Sequence, residues 1–412
     1  MKNIFKKVPK TGVIYVMHEA EKFGFTRGDK DWCNLGQGQA ESGAIDAGIK
    51  RINSIKIEQS DSEYSPVSGL IELRKAIAES YNKMYREKFE SKYTYKNVSV
   101  CPGGRAALTR IAASLGSINF GHFIPDYTAY EEMLGAFNSL NTIPILLDSS
   151  NGYSFSSESL EKEITGRGIS SILLSNPCNP TGKLIANLKL KKWIETIKET
   201  NSSMIVDEFY SNYIYSGELG STVSAAEYIN DVNDDDVIIV NGLTKNWRYP
   251  GWRLAWVLAP EEIISSISSA GSFLDGGPNR PFQRAAINIV SPRNIRAEAK
   301  AIQSLFRIKR RLILDSLQEL GVIFDIEPSG AFYAWGDVSS LPESINSGKK
   351  FFKACLKEKV IVVPGEFFDI NPGKRRTQSR FKNYVRFSFG PNIKIIKEAM
   401  IRIERVIKKA KL

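Results

Sequence analysis

Four polar residues in the middle of the chain have types and an order that suit covalent chemistry at a carbonyl group. They are Asn179, Asp207, Tyr210 and Lys245, and the acid and the lysine each follow a short apolar run. A lysine attacks a carbonyl only as the neutral amine, so it needs surroundings that lower its pKa. Taken singly, Lys245 could be a surface lysine and Asp207 could cap a strand end. Their order and spacing favour a shared site.

A pair of glycines indicates where such a site could hold an anion. Gly103 and Gly104 separate a predicted strand at residues 97–100 from a predicted helix at residues 105–115. Glycines there let backbone N–H groups approach a phosphate at the helix N-terminus, although a plain tight turn also uses them. Arg253, eight residues after the lysine, supplies a guanidinium that can bind a phosphate through two hydrogen bonds.

This combination of groups matches the needs of one cofactor, pyridoxal phosphate. The cofactor requires a lysine for its aldehyde, an anion beside its ring nitrogen, donors to its ring hydroxyl, an aromatic face and a phosphate site. Lys245, Asp207 and Tyr210 suit the first three needs, and Asn179 is a further donor within residues 176–182. A plain turn would also explain that segment, since Asn-Pro and Thr-Gly are turn dipeptides. The sequence therefore predicts a pyridoxal 5'-phosphate site.

The pattern of apolar segments predicts the sheet that must position these residues. Short β-rich runs alternate with helical periodicity, as at residues 188–199, and a longer helix is predicted at residues 69–89. The strands predicted in this region lie at residues 97–100, 142–147, 171–174, 204–206 and 237–240. Continuous apolar strands separated by helices indicate an α/β fold with a mostly parallel, covered sheet. Ligands bind such sheets at the carboxyl edge, where Asp207 would lie.

The pattern of apolar and charged residues changes near residue 290. A long basic amphipathic helix is predicted at residues 295–320, and a second helix closes the chain at residues 393–410. Strands are predicted between them at residues 329–335, 360–363 and 384–388. We expect a large cofactor-binding domain at residues 46–290 and a smaller α+β domain at residues 291–412. We expect residues 1–45 to pack on the smaller domain.

Composition and charge argue against several classes of protein. The net charge of +11 is spread along 412 residues, so a lysine-rich solvated surface is favoured over a nucleic-acid-binding face. Only two histidines are present, and the four cysteines form no CxxC pair, which argues against a histidine triad, a metal site and a disulfide framework. Such cysteines suit the reducing cytoplasm. No membrane span and no secretory signal are expected.

The residues above resemble, in order and in spacing, the fold-type I pyridoxal phosphate enzymes, specifically the aminotransferase class I and II family. The resemblance runs from about residue 34 to the C-terminus, and it implies a sheet of the seven-stranded type. It implies that Lys245 bonds to the cofactor aldehyde, that Asp207 pairs with the ring nitrogen, and that Tyr210 and Asn179 contact the ring oxygen. Tyr127, in the segment PDYTAY, is implied to stack on the ring. The residues implied to hold the phosphate are Gly104, Arg105, Thr244 and Arg253.

The same resemblance implies substrate and partner residues. Arg386, in the run VRFS, matches the arginine that binds the substrate α-carboxylate. Gly38 matches the backbone that lines the same pocket, and Asn179 is implied to contribute there as well. Tyr64 matches a tyrosine that reaches the phosphate of the neighbouring subunit. The resemblance therefore implies a homodimer with shared active sites.

Three positions depart from the pattern of the family. Gly242 stands where the family often has a serine, so one hydroxyl for the phosphate is missing. Ala255 stands where a glycine is usual. Arg280 lies in a segment that resembles the family's intersubunit region, and either a second carboxylate contact or a surface position would explain it.

The activity implied by the resemblance is transamination between an α-amino acid and a 2-oxo acid by a ping-pong Schiff-base mechanism, with Lys245 as general base and acid. A lyase, cyclase, racemase or carbon–carbon bond-forming enzyme would use the same pocket, because the fold does not decide the reaction. A nucleic-acid-binding regulator is a third alternative, and it would need an added domain. Tyr130, Trp247 and Tyr333 suit either an apolar substrate pocket or the core.

Overall fold

The computed structural model describes residue 8, residue 10 and residues 12–412. The remaining residues of the expected N-terminal segment, and of the region where no secretory signal is predicted, lie outside the described residues. The helices are α1 (Gly12–Lys22), α2 (Ile71–Tyr85), α3 (Gly104–Ser114), α4 (Ala129–Ala136), α5 (Ser157–Arg167), α6 (Asn187–Glu199), α7 (Glu261–Leu274), α8 (Arg280–Ile287), α9 (Pro292–Glu319), α10 (Gly348–Lys357) and α11 (Ile393–Ala410). The strands are β1 (Cys33–Asn34), β2 (Val98–Cys101), β3 (Ile118–Ile124), β4 (Leu140–Leu146), β5 (Ser171–Ser175), β6 (Ser203–Asp207), β7 (Val237–Gly242), β8 (Ala255–Leu258), β9 (Tyr333–Asp337), β10 (Val360–Ile361), β11 (Val363–Pro364) and β12 (Tyr384–Ser388).

The larger sheet has seven strands in the order β2-β8-β7-β6-β5-β3-β4. Strands β3 to β7 run parallel to their neighbours within this group, whereas β8 is antiparallel to both β2 and β7. Ile172 and Leu173, adjacent in β5, pack into two separate apolar clusters, so both faces of the sheet are covered. The predicted α/β fold with a mostly parallel, covered sheet is confirmed.

Two strands of this sheet are not predicted by the apolar runs. Gly121 and His122 interrupt the apolar pattern of β3, and His122 is nevertheless buried, with its pKa lowered to about 3 because burial disfavours the charged ring. Strand β8 follows the aromatic turn at Pro250–Trp252, and the pattern of apolar residues does not show where the turn ends and the strand begins. Tertiary packing overrides the local pattern at both strands.

A smaller antiparallel sheet has the order β11-β12-β9. Its strand β9 begins four residues later than the predicted strand start at residue 329, because Ala331 has a left-handed φ of 56° that interrupts an extended run. The predicted strand at residues 360–363 is two short strands, β10 and β11. Strand β1 pairs in parallel with β10, which brings the N-terminal segment against this part of the chain. The division of the chain at residues 45 and 290 stays a prediction.

A buried ion pair ties the turn that carries Lys245 to helix α9. Arg248 donates from Nε to Oε1 of Glu298 over 2.9 Å, and both side chains are buried. The backbone N–H of Arg248 donates to the carbonyl of Lys245 over 3.0 Å. Arg51 donates to the carbonyl of Trp247 over 2.7 Å and so holds the same turn from the N-terminal side. The backbone of the lysine is therefore fixed by contacts from distant parts of the sequence.

No helix within residues 12–412 has the length and apolarity that crossing a membrane requires. The four cysteines are buried and form no disulfide with one another. Burial raises the pKa of the Cys101 and Cys178 thiols to about 12. Because the thiolate is the reactive form, burial disfavours these two cysteines as nucleophiles.

Candidate active site

A cavity of about 420 Å³ lies at the carboxyl ends of β5, β6 and β7. Its lining contains every predicted site residue except Tyr64. These residues are Gly38, Gly104, Arg105, Tyr127, Asn179, Asp207, Tyr210, Thr244, Lys245, Arg253 and Arg386. The carboxyl ends of parallel strands meet at one edge of a sheet, which explains why residues far apart in sequence come together here. The volume suits a small organic ligand.

Lys245 follows β7 and directs its amine toward the N-terminal segment. Its Nζ donates a short hydrogen bond to the carbonyl of Gly38. The hydroxyl of Tyr213 donates to the backbone carbonyl of Lys245 over 3.0 Å, which helps to fix the residue. Burial and, after it, the nearby guanidinium of Arg386 together lower the pKa of Lys245 to about 7. A substantial fraction of this amine is therefore neutral near pH 7.

Asp207 is the last residue of β6 and is buried. Its Oδ2 accepts a hydrogen bond from the hydroxyl of Tyr130 over 2.8 Å, and its Oδ1 accepts one from the backbone N–H of Phe209 over 3.3 Å. Burial raises the pKa of Asp207 to about 6, while these two donors oppose the rise. The carboxylate is therefore mainly ionised at pH 7. Tyr130 belongs to the support of the site, and it is fully buried.

Tyr210 lies on the same side of the cavity and is also buried. Its hydroxyl lies 2.7 Å from the hydroxyl of Tyr333. Burial raises the pKa of Tyr210 well above its usual value, so its hydroxyl stays protonated and can donate. Asn179 is brought to the same wall by the turn after β5. Its Oδ1 accepts a hydrogen bond from Nη1 of Arg386 over 2.9 Å.

Arg386 is a buried cation that has only neutral partners among the described residues. It lies in β12, and its side chain donates to Asn179 and, over 2.6 Å, to the carbonyl of Gly36. Its Nε has no hydrogen-bond partner in the described part of the chain. The ring centroid of Tyr333 lies 4.3 Å from its guanidinium carbon. A buried charge without a counter-ion is costly, so this geometry indicates a site for an anionic ligand.

A second anion site lies at the N-terminus of α3. Gly103 has a φ of 100°, and the helix begins at Gly104 without a side-chain cap, so its first N–H groups are free to bind a ligand. A Cβ on Gly103 would lie 2.3 Å from Nη2 of Arg253, which shows how closely the guanidinium approaches this turn. Among the residues that the structure describes, the Arg253 side chain makes one hydrogen bond, to the carbonyl of Pro250 over 3.2 Å. Amides and guanidinium together suit a phosphate.

Tyr127, which is predicted to stack on the cofactor ring, and Arg105 beside it also line the cavity. Tyr127 is partly buried, and its hydroxyl accepts a hydrogen bond from Nη2 of Arg105 over 3.2 Å. Arg105 is exposed toward the cavity, so its side chain adds a third guanidinium to those of Arg386 and Arg253. Thr244 precedes the lysine and completes the lining on this side.

The two departures from the family pattern at positions 242 and 255 lie next to each other in the larger sheet. Gly242 and Ala255 are directly opposite in the register of β7 and β8. A Cβ on Gly242 would lie 2.6 Å from Cα and 2.9 Å from Cβ of Ala255. The same Cβ would lie 2.7 Å from the carbonyl oxygen of Leu254, so backbone atoms leave no room for a side chain at position 242 without a backbone shift.

Tyr64 is the one predicted site residue that the structure does not bring to the cavity of its own chain. It is 95% exposed. Arg280 pairs with Glu63 over 3.4 Å, next to Tyr64, so its side chain contacts that segment and does not line the cavity. Phe273 is 72% exposed.

Several residues of the site were not assigned from the sequence. By sequence, Tyr333 and Tyr130 suit either the pocket or the core, and in the structure both contact predicted site residues. Gln37 and Gln39 line the cavity beside Gly38. The polar residues on both sides of Gly38, within a glycine-rich segment, are a local pattern that could have indicated these two positions. The contact of Tyr130 with Asp207 joins residues 77 positions apart, so no local pattern indicates it.

Residues 30–403 match the family model for aminotransferase class I and II. The chain belongs to this family. This result confirms the resemblance inferred from Lys245 and the residues around it, and it makes the protein an enzyme of the transaminase type.

Related proteins extend this finding. An aspartate aminotransferase of Sulfurisphaera tokodaii is 28% identical over 384 residues, which cover 91% of this chain and 89% of the relative. A (5-formylfuran-3-yl)methyl phosphate transaminase of Methanocaldococcus jannaschii is 27% identical and is matched over 89% of this chain and 87% of its own length. The solved aspartate aminotransferase from Thermus thermophilus with maleate superposes with a TM-score of 0.79 at 22% identity, covering 98% of this chain and 100% of that one. The last likeness shows the fold. The names of the two sequence relatives favour transamination over the lyase, cyclase and carbon–carbon bond-forming alternatives.

Proposed function

We propose that this aminotransferase uses pyridoxal 5'-phosphate to move an amino group between an α-amino acid and a 2-oxo acid. One observation carries the proposal: Lys245 lines a cavity together with the buried acid Asp207 and the buried cation Arg386. An amine with a lowered pKa, a carboxylate for a ring nitrogen and a guanidinium for a substrate carboxylate are the groups that this reaction needs.

The residues of the cavity fit the cofactor. Asp207 accepts two hydrogen bonds and keeps acceptor capacity for a protonated ring nitrogen. The uncapped N-terminus of α3, with Arg253 beside it, suits the phosphate. Tyr210 and Asn179 would reach the ring oxygen, and Tyr127 would lie against the ring. Thr244 and the N–H groups of Gly104 and Arg105 would complete the phosphate site.

The chemistry divides between the cofactor and the protein. When bound, the cofactor supplies an aldehyde for an amino group and a ring that accepts electrons from a bond broken at the substrate carbon. Lys245, with its pKa near 7, takes a proton at Nζ and returns it. Asp207 stays ionised and so keeps a proton on the ring nitrogen. Arg386 binds the carboxylate and orients the substrate.

A half-reaction tests the proposed function directly. We expect the purified protein to show the absorbance of the bound cofactor, and we expect an amino donor alone to convert that spectrum until a 2-oxo acid restores it. Aspartate is the first donor to try, because a relative carries that name. The Lys245→Ala variant should lose turnover by about 10²–10⁴-fold, the usual contribution of a general base. Lys183→Ala removes a partly buried lysine outside this cavity and serves as the control.

Two results would contradict the proposed function. If every common amino acid leaves the spectrum unchanged while the cofactor remains bound, the enzyme does not transaminate amino acids. If Lys245→Ala retains full turnover, the assignment of the lysine is wrong.

We further propose that the enzyme is a homodimer in which each subunit completes the site of the other. The exposure of Tyr64 supports this, because a tyrosine that is 95% exposed has surface to offer to a partner. Gly277, whose Cβ would lie 3.3 Å from Cα of Val67, brings the segment after α7 against the segment of Tyr64.

Complementation between two inactive variants tests the shared site. Lys245→Ala and Tyr64→Ala subunits, mixed under conditions that allow exchange, form hybrid dimers with one intact site each. Random exchange predicts recovery of about a quarter of the wild-type activity, because half of the dimers are hybrids and half of their sites are intact. No recovery, together with confirmed subunit exchange, would show that Tyr64 acts within its own chain or not at all.

A further inference from the structure

Tyr333 contacts two predicted site residues with different roles. Its hydroxyl contacts Tyr210, which is proposed to bind the cofactor, and its ring contacts Arg386, which is proposed to bind the substrate. It begins β9, lines the cavity and has no exposed surface. Its hydroxyl oxygen lies 2.7 Å from that of Tyr210. Its ring centroid lies 4.3 Å from the guanidinium carbon of Arg386. A Cβ on Gly38 would lie 2.8 Å from the Tyr333 hydroxyl, so a residue without a side chain is needed there to leave room for it.

We propose that Tyr333 is a positioning residue that couples the substrate-carboxylate subsite to the cofactor ring-oxygen subsite. Its hydroxyl donates to Tyr210, and its ring face holds the guanidinium of Arg386. The inference rests on the proposed function, because Tyr210 donates to a ring oxygen only when the cofactor is bound.

The direction of the hydrogen bond between the two tyrosines follows from a count of protons. Each hydroxyl has one hydrogen to donate. When Tyr210 donates to the cofactor, the bond between the tyrosines must be donated by Tyr333. A hydroxyl that accepts a hydrogen bond becomes a better donor. Tyr333 therefore strengthens the bond from Tyr210 to the ring oxygen, which favours the deprotonated form of the bound cofactor.

The ring of Tyr333 acts on Arg386 in a different way. The guanidinium donates in its plane to Asn179 and to the carbonyl of Gly36, while the aromatic ring lies against it and contributes a cation–π contact. Phe368 lies near the same guanidinium, with its ring centroid 5.0 Å from the guanidinium carbon. Two rings therefore fix the orientation of the group that would bind the substrate carboxylate.

Two substitutions at position 333 separate the two contacts. Tyr333→Phe removes the hydroxyl and keeps the ring, so the pH midpoint of the cofactor absorbance should rise by on the order of half a pH unit. Maleate, a dicarboxylate that cannot be transaminated, should bind this variant as tightly as it binds the wild type. Tyr333→Leu removes both contacts, so its Kd for maleate should rise about 3- to 30-fold in addition.

Two further variants control for indirect effects. Tyr153 is a buried tyrosine outside the cavity whose hydroxyl donates to Asp325 over 2.6 Å, so Tyr153→Phe should leave the pH midpoint and maleate binding unchanged. Adding Tyr333→Phe to Tyr210→Phe should shift the midpoint no further than Tyr210→Phe alone, because the coupling passes through that hydroxyl. This double variant keeps the proposal testable even if Tyr333→Leu folds poorly.

The outcomes distinguish this proposal from the proposed function. An unchanged pH midpoint in Tyr333→Phe, or an additive shift in the double variant, overturns the coupling. Unchanged maleate binding in a folded Tyr333→Leu variant overturns the role of the ring. If the wild-type protein itself shows no cofactor bound to a lysine, the proposed function fails first and for a separate reason.

Discussion

The two walls of the cavity are built in different ways. The first wall consists of Asp207, Tyr210 and Lys245, which end or follow parallel strands of the larger sheet. The second wall consists of Tyr333 and Arg386, which lie within strands β9 and β12 of the antiparallel sheet. The first wall contains both an acid and an amine. The second wall contains a buried cation whose partners are neutral, so it is electrostatically incomplete until an anion binds.

Removing the cation of the second wall tests this difference and should give the largest change in ligand binding. We expect Arg386→Leu to weaken maleate binding to the holoenzyme by about 30- to 1000-fold, since loss of a buried charge contact to a ligand costs about 2–4 kcal/mol. The cofactor-free variant should lose little stability, because no acid is left without its partner. An absorbance titration with maleate and urea unfolding provide the two measurements.

A second buried arginine provides the control for that prediction. Arg248 has an acidic partner, Glu298, and Arg248→Leu leaves that carboxylate buried and unpaired. We expect this variant to lose about 3–5 kcal/mol of unfolding free energy. The comparison fails if Arg386→Leu is as destabilised as Arg248→Leu, or if it binds maleate normally.

The pH dependence of stability tests the amine of the first wall. The pKa of Lys245 is about 7 in the folded, cofactor-free protein and about 10.5 in the unfolded chain, so the unfolded chain binds more protons between these values. The stabilisation of Lys245→Met relative to wild type should therefore be largest below pH 7 and fall as the pH rises. We expect it to fall by about 2 kcal/mol between pH 7 and pH 9.

Urea unfolding of both proteins across this pH range checks the prediction. The pKa values of Asp126 and Glu208 are raised to about 8 by burial, but both groups are present in both proteins and cancel in the difference. A difference that does not change with pH would mean that Lys245 is fully charged in the folded protein.

Removing the hydroxyl of Tyr130, which supports Asp207 of the first wall, should have the smallest effect. Tyr130 donates to Asp207, and Tyr130→Phe removes that bond while keeping the ring. The carboxylate then becomes easier to protonate and pairs less well with a protonated ring nitrogen, so cofactor affinity should fall about tenfold. Equilibrium dialysis of the cofactor measures this. Tyr153→Phe is the control, and an unchanged affinity in Tyr130→Phe would show that the bond does not matter for the cofactor.

The same contrast between the walls explains what the sequence could predict. Residues of the first wall follow apolar strands directly, so local patterns and the resemblance to a family place Asp207 and Lys245 at one edge of a parallel sheet. The resemblance to a family also predicts the role of Arg386. Its neutral partners, Asn179 and Gly36, are separated from it by 207 and 350 residues along the chain, so no local pattern predicts these contacts. Nothing local separates Tyr333 in the pocket from a tyrosine in the core, because both are buried aromatic residues in a strand.

The central claim is that Lys245 binds the cofactor covalently, and chemical trapping tests it most directly. The purified protein would be treated with borohydride, which makes the bond between a lysine and the cofactor permanent, and then digested and mapped by mass spectrometry. We expect the cofactor mass on the peptide that contains Lys245 and on no other lysine. A tag on a different residue, or no tag on a protein that contains the cofactor, would contradict it.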